Sequence, residues 1–517
     1  MSEADLIRSR LVSSVSANTV RRPLLLLLSL IGSAIVARIL GPSSLAVIAA
    51  ISATAFTINS LFDLGITESI PRIVPDLGVR FGRAQALRVT RRLLSAKLLL
   101  VLFGFMGLYL LDNTGLWHGR KNILYSPLFF PLIGTNLLLM ILIQFKIQER
   151  VAAFRLLNLA KIEITVSILT PMITVAAAFI SGNPYFVAAA MLIPMLAHLL
   201  VLMASGGYDL DTEKGYSLIF PIRHIIQRYW RYALVSHMIF FFNQFVFGLP
   251  LTLFILAELG ADSAVLGNTT IAVAIILGGF DMANAPLENL TVPILARLYS
   301  EKDLVRFQQT QRLMVSMRIL SSGLIAITIF TIAPFLLIFL YGKGYHSAVE
   351  WGVPACVLML VFNFFSVGNA TIRQTDRFTP VMIGYLLSII AIAVCLVIGL
   401  SALPEPLWPP AVLVTCILGR AVFWLTTDLW TDAVLFQWQG TIVKARGLLA
   451  IVIALSAAFL LARTWEGHQI LTGILACCSS TALFLLLFRL MGGIGEEGRQ
   501  FLLSIIGPRY GWVGRIV

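Results

Sequence analysis

The sequence predicts an all-α, polytopic membrane protein of about fourteen transmembrane helices, and three observations carry that prediction. With 58% hydrophobic and only 12% charged residues and a mean hydropathy of +0.91, the chain is unlike a soluble globule, in which about a quarter of residues are charged. Its apolar residues fall into runs of roughly twenty, the length that crosses the hydrocarbon core, and in lipid such runs must be helices to satisfy their own backbone groups. Lys and Arg then gather in every second connection. Because basic residues accumulate in short cytoplasmic loops, the alternation places both termini on the cytoplasmic side.

In order, spans 22–40 and 43–62 follow an N-terminal segment bearing Arg8, Arg10, Arg21 and Arg22, and lead into Arg72, Arg80, Arg83, Arg88, Arg91 and Arg92. Spans 93–111 and 124–145 precede Lys146, Arg150 and Arg155; spans 157–181 and 184–205 precede Arg223, Arg228 and Arg231. Spans 232–256 and 262–283 lead to Arg297, Lys302, Arg306 and Arg312; spans 313–340 and 351–370 lead to Arg373 and Arg377. Spans 378–400 and 408–432 lead to Lys444 and Arg446, after which 445–463 and 470–491 complete the set. The intervening connections hold little beyond Arg120, Lys121, Lys343 and Arg463. Gly248 and Pro250 should break span seven, and Pro171, Pro194, Pro334 and Pro380 should interrupt others.

The first run follows two arginines as a secretory signal does, but it reaches full span length, so it is expected to remain as a helix. The net charge of +13 is a property of the cytoplasmic face, suited to anionic headgroups rather than nucleic acid. All five cysteines (Cys356, Cys395, Cys416, Cys477, Cys478) lie inside spans, which leaves no disulfide framework and no loop-borne metal ligands.

At an offset of about 219 residues the chain pairs with itself in three places. Ile39-Leu40-Gly41 meets Glu258-Leu259-Gly260, Phe62-Asp63 meets Phe280-Asp281, and Arg92-Leu93-Leu94 with Lys97 meets Arg312-Leu313-Met314 with Arg318. A repeat of six spans preserves orientation, which implies two parallel six-helix lobes. The expected organisation is a cytoplasmic segment 1–19, a first lobe 20–205, a cytoplasmic linker 206–231, a second lobe 232–434, an additional helix pair 435–491 and a tail 492–517. Within the linker, residues 219–231 interleave Ile, Phe, Tyr and Trp with Arg223, His224, Arg228 and Arg231, the pattern of a basic amphipathic helix lying on the membrane surface.

No phosphate-binding loop, nucleophile elbow or zinc-protease pair is present, and the outer connections are short. Transport without catalysis is the expectation, with no cofactor and no metal. Polar groups inside the spans then become the candidates, because an ionised side chain in hydrocarbon is costly and faces a cavity or a partner. Arg420 sits near mid-depth of span twelve; it either lends positive charge to a substrate path or pairs with a carboxylate on a neighbouring helix, for which Glu163 is the candidate. Lys161 and Glu163 occupy the inner half of span five, where Lys161 can also snorkel inward. Arg38 lies near the outer end of span one, within reach of the headgroups. Asn136, His237, Asn243, Gln244 and Asn363 lie at mid-depth, where they either bond between helices or line a wet interior.

The stretch Ala37-Arg38-Ile39-Leu40-Gly41-Pro42, the span ending in Asp63-Leu64-Gly65-Ile66, the following Glu68-Ser69-Ile70-Pro71-Arg72, and Asn369 to Arg377 (NATIRQTDR) resemble the polysaccharide transporter family. This is a family of oligosaccharide flippases, similar to O-antigen flippases, within the multidrug/oligosaccharidyl-lipid/polysaccharide flippase superfamily. The resemblance implies a two-lobed transporter that moves undecaprenyl-diphosphate-linked oligosaccharide across the bacterial cytoplasmic membrane, with a cationic cavity receiving the diphosphate. It also implies membrane lipids, a polysaccharide polymerase and glycosyltransferases as partners. Residues 23–37 carry no charge, unlike the arginine-bearing first lobe of the related lipid II flippase, which favours a surface or secreted polysaccharide precursor over a peptidoglycan one. Two other classes stay open. A small-molecule antiporter on the same scaffold should hold an essential acid deep in a lobe, with Glu163 as candidate. A membrane-embedded polymerase or glycosyltransferase should hold a carboxylate cluster at one face, where Asp428 and Asp432 stand without evident partners.

Overall fold

The computed structural model describes residues 3–81, 83–113, 126–152, 156–205, 222–246, 248–284, 304–375, 379–435, 439–464 and 469–493. Among them the chain is helical between short turns, with no strand, and twelve helices are long and apolar enough to cross a membrane. It is an all-α, multi-pass membrane protein. Large apolar side chains stand on the outside, among them Phe103, Ile180 and Phe339, each at least 74% exposed, as lipid-facing positions require.

The predicted spans map onto the helices with informative departures. α1 (Glu3–Phe62) covers spans one and two as one run broken only at Gly41, whose φ of 76° no helix interior adopts. α2 (Ile66–Phe81) and α3 (Arg83–Asn113) follow, then α4 (Phe129–Ala152), α5 (Leu156–Ser181) and α6 (Pro184–Ala204). α6 starts sharply because Asn183 accepts the Tyr185 N–H at 2.9 Å and Pro184 needs no partner there. Pro171 and Pro194 were expected to interrupt their spans; instead they lie inside unbroken α5 and α6. Around Pro171 the hydroxyls of Thr170 and Thr174 bond back to Val166 O and Thr170 O, as neighbouring Ser and Thr do where proline weakens a membrane helix.

Span seven breaks where Gly248 and Pro250 predicted. α7 (Ile222–Phe241) passes into a π-turn (Phe242–Val246), and α8 (Leu249–Glu258) restarts after an extended Gly248. The basic stretch expected as a separate surface helix is a correction: residues 222–231 are the first turns of α7 itself, with no break before the span, while 206–221 lie outside the described residues. Amphipathic periodicity describes one face of a helix and is silent on where that helix ends.

α9 (Ser263–Asn284), α10 (Leu304–Thr331) and the short α11 (Ala333–Tyr341) follow, the last pair separated at Pro334 as expected. α12 (His346–Phe362) tightens into a 3-10 turn at Asn363–Phe365 before α13 (Ser366–Thr375), so residues 371–375, expected between spans, are helical, while Asp376 and Arg377 lie outside the described residues. α14 (Thr379–Ala402) takes Pro380 in its first turn, where proline costs nothing. α15 (Trp408–Leu435), α16 (Gln439–Thr464) and α17 (Gln469–Leu490) end the described chain; residues 494–517 of the expected tail are not described.

Contacts divide the chain into two compact units, Leu28–Thr270 and Met1–Leu27 with Ile271–Val517. The first has a core of Ile51 and Ala55 from α1, Ile133 and Ile141 from α4 and Val187 from α6. Its Asp63–Gly65 turn is held by a positive φ at Leu64 (46°) and Gly65 (74°), and the Ala233 carbonyl of α7 occupies the place a Gly65 Cβ would take. In the second unit, α14 and α15 join through a Tyr385–Phe423 stack at 4.4 Å and a Ser388 Oγ bond to Gly419 O at 2.6 Å. The additional helix pair is packed into this unit's core, with Ala450, Ala454 and Phe484 fully buried beside Ile319 and Ile327 of α10.

Candidate functional site

α9 organises the polar interior of the second unit. Its last two turns present Phe280, Asp281 and Asn284, three residues that share one inward stretch of helix. Arg420, 6% exposed on α15, lays its guanidinium over two aromatic faces, 4.4 Å from the Phe280 ring centre and 4.8 Å from that of Trp424. The two rings are themselves stacked, 5.5 Å apart and 13° from parallel. A desolvated cation on aromatic faces gains about 2 kcal/mol. The carboxylate of Asp281 acts on it through its field. Asp281 was legible only as a mark of the repeat, since sequence gives no distance between α9 and α15.

One turn on, Asn284 accepts from the Asn363 amide at 3.2 Å, and the same amide donates to Ser322 Oγ of α10 at 2.9 Å. Ser366 Oγ donates to Asn363 O at 2.6 Å and accepts from Arg318. Every member of this network is buried, and it sits where α12 loosens into its 3-10 turn. Asn363 is thus bonded between helices. Asp428 and Asp432, read as unpartnered, are a second correction: Lys444 Nζ of α16 donates to both, at 2.5 and 2.8 Å. The basic pattern puts Lys444 in a connection, whereas the helix that carries it begins at Gln439.

The first unit carries its own buried charge pair. Lys97 of α3, fully buried, donates to Asp63 and to Thr67 Oγ1 at 2.6 Å, and Thr67 Oγ1 donates to Asp63 at 2.5 Å. Beside it Asn59 donates to Gln144 at 3.0 Å. His237 on α7 is half-buried and within the field of Asp63.

Of the other predicted site residues, Asn136 on α4 is half-buried, as is Asn243 in the π-turn, whose Oδ1 is buried without a hydrogen-bond partner among the described residues. Gln244 lies in the same π-turn, its side chain outside the described set. Arg38 on α1 and Lys161 on α5 are exposed, and Glu163 is half-buried. The structure therefore brings Arg420 and Asn363 together on α9 and leaves Arg38 and Lys161 on the outside of α1 and α5. No group of three or more His, Cys, Asp or Glu side chains placed to hold a metal occurs among the described residues.

No family model matches the chain, and no curated protein matches it in sequence. Solved structures do resemble it. A MATE transporter in complex with MaL6 superposes with a TM-score of 0.55 at 16% identity, covering 83% of this chain and 95% of that one. The lipid II flippase MurJ, in an inward closed conformation, gives a TM-score of 0.55 at 12% identity, covering 91% of this chain and 98% of that one. An inward-facing multidrug resistance MATE transporter of the MOP superfamily gives 0.50 at 14% identity, covering 81% and 98%. This chain has the fold shared by MATE transporters and the lipid II flippase.

Proposed function

We propose that the protein is a flippase that moves undecaprenyl-diphosphate-linked oligosaccharide across the bacterial cytoplasmic membrane by alternating access, for polysaccharide biosynthesis. The observation that carries this reading is the extent of the likeness: the lipid II flippase matches 91% of the chain, whereas the two MATE transporters match 83% and 81%. The α16–α17 pair packs into the core of its unit and so is part of the fold rather than an appendage. Arg420 supplies what the substrate needs, a permanent cation that can donate two parallel hydrogen bonds to phosphate oxygens. Glycosyltransferases and a polymerase acting before and after the flip are the partners this function requires.

Reconstitution into proteoliposomes tests it. Labelled undecaprenyl-diphosphate oligosaccharide placed in one leaflet should become accessible in the other only in vesicles containing the protein. The MATE likenesses support a second reading, an ion-coupled multidrug antiporter that uses the half-buried Glu163. Gradient-driven uptake of cationic drugs, with the lipid-linked sugar staying in its leaflet, would establish that reading and exclude the first.

A further inference from the structure

Among the described side chains of α3, the exposed charges share one face of the helix. Arg88, Arg91 and Arg92 stand exposed at positions i, i+3 and i+4, and Ser95 continues them one turn on. The same face then becomes an apolar stripe, with Leu99, Leu102, Phe103, Met106 and Leu110 between 46% and 74% exposed. The opposite face does the packing: Ala86, Thr90 and Val101 are buried, and Lys97 turns inward to Asp63. Orientation during insertion requires only that basic residues lie at this end of the helix, not that they share its outer face. Arg150 and Lys444 are basic residues of the same connections-bearing pattern, yet both are buried in the fold, whereas these three are presented outward.

The positive charge is in excess whatever the local pairing. With Lys97 set aside for Asp63, residues 66–111 of α2 and α3 carry six arginines against two acids, Glu68 and Asp76. On α4, which packs against both helices, Glu149 already holds Lys146 at 2.7 Å. A guanidinium suits phosphate, because it stays charged and donates two parallel hydrogen bonds. Neighbours at i, i+3 and i+4 are about 5–6 Å apart at Cβ, so three such forks reach one headgroup. From Ser95 to Met106 the helix rises about 16 Å, close to the hydrocarbon depth of one leaflet, about 15 Å. Charge, spacing and length together match a single phospholipid.

We propose that this face of α3 binds one anionic phospholipid of the surrounding membrane, its phosphate held by Arg88, Arg91 and Arg92 and its acyl chains lying on Leu99, Leu102, Phe103 and Met106. The site goes beyond the transport reading and depends on no choice of substrate. It differs from a general attraction of basic loops to the membrane surface in being selective, saturable and confined to one helix face.

Native mass spectrometry of the full-length protein in detergent, with phosphatidylglycerol and phosphatidylcholine of equal chain length, resolves the first lipid bound. Phosphatidylglycerol should bind more tightly than phosphatidylcholine. Each of Arg88→Gln, Arg91→Gln and Arg92→Gln should weaken it about fivefold and leave phosphatidylcholine unchanged. Single replacements keep the other arginines of the connection, so insertion is preserved. Arg446→Gln removes an exposed arginine on α16 and serves as the control, with no change expected. Equal affinity of the wild type for the two lipids overturns the proposal, as does a loss in Arg446→Gln as large as those on α3. Displacement of phosphatidylglycerol by an equal concentration of inorganic phosphate also overturns it, by showing a site for the free anion. If undecaprenyl diphosphate occupies the patch in preference to phosphatidylglycerol, the three arginines serve the substrate and the proposal fails.

Discussion

Inside the second unit the guanidinium of Arg420 lies against the faces of Phe280 and Trp424 and in the field of Asp281. Such a cation is preorganised, and an anionic ligand within its reach would form charge-assisted hydrogen bonds with it. Arg420→Lys should retain part of the transport, and Arg420→Ala should abolish it at normal protein abundance in a proteoliposome assay. If Arg420→Ala instead depletes the protein and Asp281→Asn restores it, the residue serves the fold alone. Lys97 offers the contrasting case, a buried ammonium whose two partners, Asp63 and Thr67, belong to the same turn and helix start. Lys97→Met leaves Asp63 buried without its cation, a loss of about 3–5 kcal/mol, whereas Lys97→Met with Asp63→Asn should recover much of it. Melting temperatures in detergent for the two variants should separate accordingly; equal loss in both would mean the pair is not the source of the stability.

At the scale of elements, the turn between α1 and α2 shows how a glycine fixes the approach of a neighbour. Gly65 and Gly182 both have positive φ, 74° and 61°, yet a Cβ on Gly182 meets open space while one on Gly65 meets the Ala233 carbonyl. Both valine variants carry the left-handed strain of about 1–2 kcal/mol, and only Gly65→Val adds overpacking of about 1–3 kcal/mol. Thermal unfolding should rank Gly65→Val below Gly182→Val; equal melting temperatures would show that α7 yields to the added methyls. Helices themselves were legible because a membrane leaves the backbone little choice, and the break at Gly248 and Pro250 followed from local chemistry. Local chemistry also misled at Pro171 and Pro194, since whether a proline interrupts depends on neighbouring hydroxyls and packing. The buried charges were half legible. Asp63, Lys97, Asp281 and Arg318 stood out as marks of a repeat, and each belongs to a polar cluster of its unit, but which residue faces which was beyond a pattern read in one dimension. Asn59–Gln144 in one unit and Asn284–Asn363 in the other extend the same parallel, and we take them as support for the proposed repeat of six spans.

For the whole molecule, orientation in the membrane rests on the distribution of Lys and Arg, a signal that acts during insertion and leaves no trace in the packing. Some of those residues do serve the fold as well. Arg150 is 3% exposed and caps the end of α6 through Leu202 O and Ser205 Oγ, and Lys444 is buried against Asp428 and Asp432. Removing both from the tally leaves the alternation intact, because Lys146 and Arg155 remain in one connection and Arg446 in the other. The alternation therefore predicts that Asn183, at the start of α6, and Arg377, between α13 and α14, belong to opposite faces, the first outside and the second cytoplasmic. Single cysteines placed at the two positions in a background lacking the five native thiols should report this in intact cells with an impermeant maleimide. Labelling at Asn183→Cys alone agrees with cytoplasmic termini. Labelling at Arg377→Cys alone reverses the protein in the membrane, and with it the direction in which a lipid-linked sugar would be delivered.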